Sequence, residues 1–235
     1  TVIGVDAYYN IINDSATSVS FVTSDSNDTD PSDVTLASGQ NTFSVNNKTA
    51  GSGQSISATA AGYSTRASTS YTVNPAGPTQ TIVILPGQTH NEGAASLAAA
   101  VTGTPTTQTA GSSFNVTVKA VDANFNTVTS YSSAISITTS DPTDTNPTTP
   151  TNFSSGTATF TINPITASTG LTISPSSSLT DNDSDGYDVD PGAASQLLVI
   201  LPGETFNPGQ QSLAPAITGT PSDQSVNSTF NVDVK

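Results

Sequence analysis

Apolar and polar residues alternate along most of this chain. Phe114, Val116, Val118 and Ala120 fall on one face, with Asn, Thr and Lys on the other. Ile135 and Ile137 oppose Ala134, Ser136 and Thr138, and Ala158, Phe160 and Ile162 oppose Thr157, Thr159 and Thr161. A period of two is that of a strand with one face in a core. Thr81–Leu85 is more continuously apolar, and Leu171 with Ile173 marks another short strand. Clusters of Gly, Pro, Asn, Asp and Ser separate these runs and read as turns. Threonine suits strands because it is β-branched, and it hydrates the outer face. Several short strands between turn signals predict an all-β chain folded as β-sandwiches. The run 94–101 (AASLAAAV) has helical composition, but 210–217 places Pro215 inside the matching stretch. Proline in a helix interior costs about 3 kcal/mol. An extended or irregular connection is therefore expected there, with room for a short helical turn in one copy.

The pattern recurs. VILPGQT at 83–89 returns as VILPGET at 199–205, TGTP at 102–105 returns at 218–221, and FNVTVK at 114–119 returns as FNVDVK at 230–235. YTVNP at 71–75 matches YDVDP at 187–191, VDAYYN at 5–10 matches VDANFN at 121–126, and TSD recurs at 23–25 and 139–141. These matches share an offset of 116 residues, and ASGQNTFSV at 37–45 matches SSGTATFTI at 154–162 at 117. Self-similarity at a fixed period predicts repeated structural units. The expected division is 1–74 as the C-terminal part of a repeat, 75–191 as a complete repeat, and 192–235 as the N-terminal part of the next.

In order, the unit runs through a hydrophobic strand, G-x-P-x-x-Q and F-x-V-x-V-x-A-V-D-x-x-x-N. A T-S-D loop, G-x-x-x-F-x-V/I and a closing Y-x-V-x-P follow. This order resembles the bacterial immunoglobulin-like repeats of large surface proteins, including the invasin and intimin type. The resemblance implies tandem immunoglobulin-like β-sandwiches with a 116-residue repeat. It also implies an extracellular or cell-surface setting, and domains that commonly serve as spacers. The unit is longer than most such domains, with the excess between the first strand and Phe114, roughly residues 86–113.

Charge narrows the partners. There are 4 Lys+Arg against 18 Asp+Glu, a net charge of −14. Such a chain has no electrostatic footprint for nucleic acid and is repelled by an anionic membrane. The longest aliphatic run, Leu197–Leu201, is far short of the ~20 residues that span a bilayer. Ser and Thr together supply 75 residues, and Cys, Met and Trp are absent. A disulfide framework, a thiolate zinc site and a cysteine nucleophile are thereby excluded.

Candidate chemistry is sparse. Asp181, Asp183, Asp185 and Gly186 form D-x-D-x-D-G, the first half of a calcium loop, and Asp188 and Asp190 could complete a shell. Position 12 is Gly192 rather than a bidentate Glu, and the matching stretch 64–70 has no acid. Calcium is the one cofactor the sequence suggests, against a solvated acidic hinge. Asp25, Asp28, Asp30 and Asp33 form a second cluster that Asp141 and Asp144 partly repeat; it reads as an acidic inter-strand loop. Asp6 with Asn10, and Asp122 with Asn126, read as turn formers through side chain to backbone bonds. His90 is the single imidazole, its counterpart is Phe206, and the only glutamates are Glu92 and Glu204. No catalytic constellation is present, so the chain is expected not to be an enzyme.

The expected function is structural: a repeat segment of a bacterial surface protein or filament, acting as stalk or fibre. Expected partners are neighbouring copies of the repeat. They join either covalently in a longer array or head-to-tail by strand complementation, since the sequence opens and closes at the same phase of the repeat. The alternatives are an adhesin module for a glycan or protein ligand, with Tyr8 and Tyr9 as exposed aromatics, and a spacer in a secreted enzyme.

Overall fold

The computed structural model describes residues 1–144 and 150–235. The chain is nearly all-β, with several sheets, as a β-sandwich requires. Its contacts divide it into two compact units. One comprises Thr1–Pro78, His90–Thr102 and Val121–Val128; the other comprises Thr79–Thr89, Gly103–Ala120 and Thr129–Lys235.

In the second unit, strand Phe114–Val121 pairs antiparallel with Thr157–Ile162, Val116 opposite Phe160. Gln80–Ile84 flanks its other side, and Thr180–Asp181 adds to that strand in parallel. A further sheet runs Thr151–Asn152, Ala134–Thr139, Ile173–Ser176, and another runs Gln108–Thr109, Tyr187–Asp190, Ser168–Leu171. The period-two pattern sets the core. Phe114, Val116, Val118, Ile135, Ile137 and Phe160 are buried in one cluster. Burying such side chains stabilises by roughly 1.5–3 kcal/mol each. Phe114 meets the Tyr187 ring edge-on at 5.4 Å. Leu171 and Ile173, read as one short strand, belong to two: Leu171 pairs with Tyr187, whereas Ile173 pairs with Thr139. The chain changes sheets at Thr172, whose N–H donates to Ser140 Oγ and whose carbonyl accepts from Ser140 N–H.

In the first unit, Ser18–Thr23 is flanked by Val34–Thr35 and Ile56–Ala60 over a core of Val19, Phe21 and Leu36. Phe43 stacks on Phe21 with ring centroids 3.8 Å apart. Pairing registers coincide at the sequence offset. Val2 faces Asn41 as Val118 faces Ala158, Thr23 faces Ile56 as Thr139 faces Ile173, and Gln54 faces Tyr71 as Leu171 faces Tyr187.

Helical turns form in both copies of the alanine-rich run, at Leu97–Ala100 and Leu213–Ala216, where one copy at most was expected. The reason is positional. Pro215 is the third residue of its turn, where an N–H has no intrahelical acceptor, so the interior penalty does not apply. At the equivalent place Ala99 N–H donates to the Ser96 side chain, whereas Ser212 caps nothing with its side chain because proline offers no N–H. Among the described residues, no helix is long and apolar enough to cross a membrane.

Candidate functional site

The densest polar arrangement lies in the first unit, around the turn after strand Phe114–Val121. Phe125 takes φ 60°, the left-handed region, closing a tight loop in which Phe125 N–H donates to Asp122 O and Asp122 N–H to Asn126 O. Asp122 Oδ1 accepts from the Asn124 and Asn126 N–H groups, both at 2.9 Å. The Asp–Asn turn expected from sequence is thus present. Its partners reach much further. Asp122 Oδ2 accepts from Ala76 N–H at 2.9 Å, Asn126 Nδ2 donates to Lys48 O at 2.8 Å, and Ala50 N–H donates to Asn126 Oδ1 at 2.8 Å. Asn126 therefore binds a backbone donor and a backbone acceptor at once, as a strand neighbour would. His90 Nε2 lies 2.8 Å from Phe125 O, and Glu92 accepts from Thr127 N–H. Phe125, Asp122 and Asn126 are all buried.

Beside this turn sits a buried carboxylate. Asp25 accepts from Asn27 N–H, Lys48 N–H, Thr49 N–H and Thr49 Oγ1, the last two at 2.7 Å. Burial pushes its carboxyl up, but the bonds from Thr49, Asn27 and Lys48 outweigh that and hold it below the usual carboxylate range. Against Thr49 lies Gly93, at φ +76°; a Cβ there would stand 2.0 Å from Thr49 Oγ1, so only glycine fits. Asn27 Nδ2 bridges Thr49 Oγ1 and Glu92 O.

The second unit repeats this arrangement. Asp141 accepts from Thr143 and Thr166, backbone and side chain alike, and from Ile165 N–H. Its carboxyl is again held low against the effect of burial. Gly209, at φ +73°, approaches Thr166 so closely that a Cβ would lie 2.1 Å from its Oγ1. Nearby Asp144 is pushed up, chiefly by burial and further by Asp141. Burial, Asp144 and Asp141 push the Tyr187 hydroxyl up to about 12.

The acidic stretch 25–33 is the inter-strand loop expected from sequence, with Asp30 and Asp33 exposed, but Asp25 within it is buried and every one of its aspartates is hydrogen-bonded. Asp28 accepts from Thr23 Oγ1, Asp30 from Thr23 N–H, and Asp33 from Ser20 Oγ. The sequence signal that could have revealed Asp25 is the recurrence of TSD while its neighbours drift. The aspartates of the expected calcium loop are spread over separate donors. Asp181 accepts from Thr81 Oγ1, Ser177 N–H and Ser177 Oγ; Asp185 accepts from Gln88 Nε2; and Asp188 accepts from Gly170 N–H. Asp188 and Asp190 point outward from a strand whose Tyr187 and Val189 point inward. Asp183 lies between the two strands. Among the described residues, no three of His, Cys, Asp and Glu gather to hold a metal.

No family model matches the chain, and no curated protein matches it. Among solved structures, the apo form of a β-glucuronidase from Bacteroides uniformis aligns over 74% of this chain and 21% of its own, at 14% identity and a TM-score of 0.33. A likeness of that size carries no argument about function.

Proposed function

We propose that this chain is a structural repeat segment of an extracellular bacterial surface protein or filament, built from end-to-end immunoglobulin-like β-sandwiches. The observation that carries this reading is the recurring joint. A buried aspartate fixes a threonine, and a glycine from the following stretch packs on that threonine, at Asp25, Thr49 and Gly93 and again at Asp141, Thr166 and Gly209. Units that contact only their neighbours make a chain whose length is set by their number. The polar, acidic surface suits a stalk in water, and each compact unit holds one copy of the joint. Small-angle scattering of the wild-type chain and of Asn126→Ala is the test. The expected result is a broader distribution of interatomic distances in the variant; identical profiles would overturn the reading.

A second reading, an adhesive module for a glycan or protein ligand, rests on Tyr8 and Tyr9, which are 86% and 79% exposed. Binding to a glycan array that disappears in the Tyr8→Ala, Tyr9→Ala double variant would favour it.

A further inference from the structure

We propose that the second unit is built to bear tension: two parallel strand pairs join the beginning of the repeat to its end and meet a pull along the chain in shear. The pull itself comes from the repeat-stalk reading, on which the inference rests in that respect.

Gln80–Ile84 pairs in parallel with Thr180–Asp181, Gln80 facing Thr180 and Thr81 facing Asp181. Gln108–Thr109 pairs in parallel with Tyr187–Asp190, Gln108 facing Val189 and Thr109 facing Asp190. Each pair sets a strand from early in the repeat 75–191 beside a strand from late in it. A pull that enters at residue 79 and leaves at residue 191 draws the early strand toward its N-terminal end and the late strand toward its C-terminal end. The two then slide past each other, and the evenly spaced bonds of a parallel ladder are strained together. A hairpin, whose ends leave side by side, opens one bond at a time instead.

Side chains tie the same two ends. Thr81 Oγ1 donates to Asp181 Oδ1 at 2.7 Å, and Asn182 Nδ2 donates to Thr81 O at 2.8 Å. Gln88 Nε2 donates to Asp185 Oδ2 at 2.6 Å, and Ala110 N–H donates to Asp190 O at 2.9 Å. Thr81 is fully buried, so water does not replace its partner as the bond is strained. Asp181 and Asp185, aspartates of the expected calcium loop, thus hold the end of the repeat to its beginning. These ties are not a fixed part of the pattern. Thr65 and Thr69 stand where Asp181 and Asp185 do, and Glu204 stands where Gln88 does. Glu204 still accepts from Leu201 N–H as Gln88 Oε1 accepts from Leu85 N–H, so the local turn forms without the tie.

Single-molecule force spectroscopy on the whole chain tests this. The sequence has no cysteine, so paired cysteines place the handles. Thr79→Cys with Ala193→Cys loads both parallel pairs in shear, and Thr79→Cys with Ser178→Cys peels the first pair from one end; all three positions are exposed. Forced unfolding follows the unfolding rate, and shear is expected to need roughly twice the force of peeling at equal pulling speed. Thr81→Val leaves Asp181 its Ser177 donors, and Gln88→Glu keeps the Leu85 bond in the way Glu204 does. In shear, each is expected to raise the unfolding rate at fixed force about ten-fold, as the loss of one hydrogen bond would. In peeling, Gln88→Glu is expected to stay within about two-fold of the wild type, because its bond lies away from the opened end. Equal forces in the two geometries, or a Gln88→Glu effect of the same size in both, would overturn the proposal. The scattering test on Asn126 decides the stalk reading separately and leaves this difference between geometries untouched, so the two failures are distinguishable.

Discussion

The turns at Val5–Asn10 and Val121–Asn126 share a backbone and differ in almost everything else. Both close through an Asp side chain that accepts from the N–H groups two and four residues on. Both place an aromatic residue at positive φ. Yet Tyr9 is exposed, while Phe125 is 6% exposed and Asn126 is 2%. Local sequence suffices to form the turn. Burial depends on residues 48–50 and 76, which meet only one of the two. The same motif is thus a solvated loop in one place and an anchor in the other, and the difference is where its energetic weight lies.

The sharpest way to break this comparison is to truncate the aromatics. Phe125→Ala is expected to cost about 3–5 kcal/mol, the usual range for a buried phenylalanine. Tyr9→Ala is expected to leave the melting temperature of the isolated chain unchanged. Calorimetry of both variants checks this, and equal losses would mean the two turns are equivalent after all. Next in size is the polar anchor. Asn126→Ala strands the Lys48 carbonyl and the Ala50 N–H, and an unsatisfied buried group costs about 1–3 kcal/mol. Asn10→Ala strands only its own loop in water, and urea titrations should separate the two.

Acid sharpens the comparison further. Asp25 and Asp141 have folded pKa values below their ordinary ones. Their contribution is complete above the unfolded value, about 4, and is lost as pH falls through the folded values. Asp144 has the opposite sign: its raised pKa means that its ionisation opposes folding as pH rises. Melting temperature is therefore expected to drop steeply below about pH 4. Asp25→Asn should flatten that drop for the first unit and leave the second unit's unchanged.

The smallest expected effects concern the helical turns. Ser96→Ala removes a cap and should cost about 1 kcal/mol. Pro215→Ala restores an N–H for Ser212 to accept but frees the unfolded chain, and these cancel to within about 0.5 kcal/mol. Paired calorimetry of the two variants would show a drop in one and almost none in the other.

The strands were legible because a core has two faces and alternation records which is which. Phe114 to Ala120 and Ala158 to Ile162 are buried as their pattern implies. The Asp–Asn turns were legible for the same local reason. Their anchoring was not, because Lys48 O, Ala50 N–H and Ala76 N–H are backbone groups, and any residue supplies them. Asp25 was hidden for another reason: four aspartates in nine residues read as one acidic inter-strand loop, and nothing in that pattern set buried Asp25 apart from Asp30 and Asp33, which stay exposed. The helical turn at Leu213–Ala216 escaped because proline was weighed as an interior residue, whereas a four-residue helix has no interior.

The glycine contacts at Thr49 and Thr166 bear on how such a gene changes over time. The joint needs one carboxylate, one hydroxyl and one position without a side chain; the remaining partners are main chain. A copying error that adds or removes a whole period delivers all three in register. Positions on the surface, outside these three, are free to drift. Replacing either glycine, even by alanine, is the change that such drift should never keep.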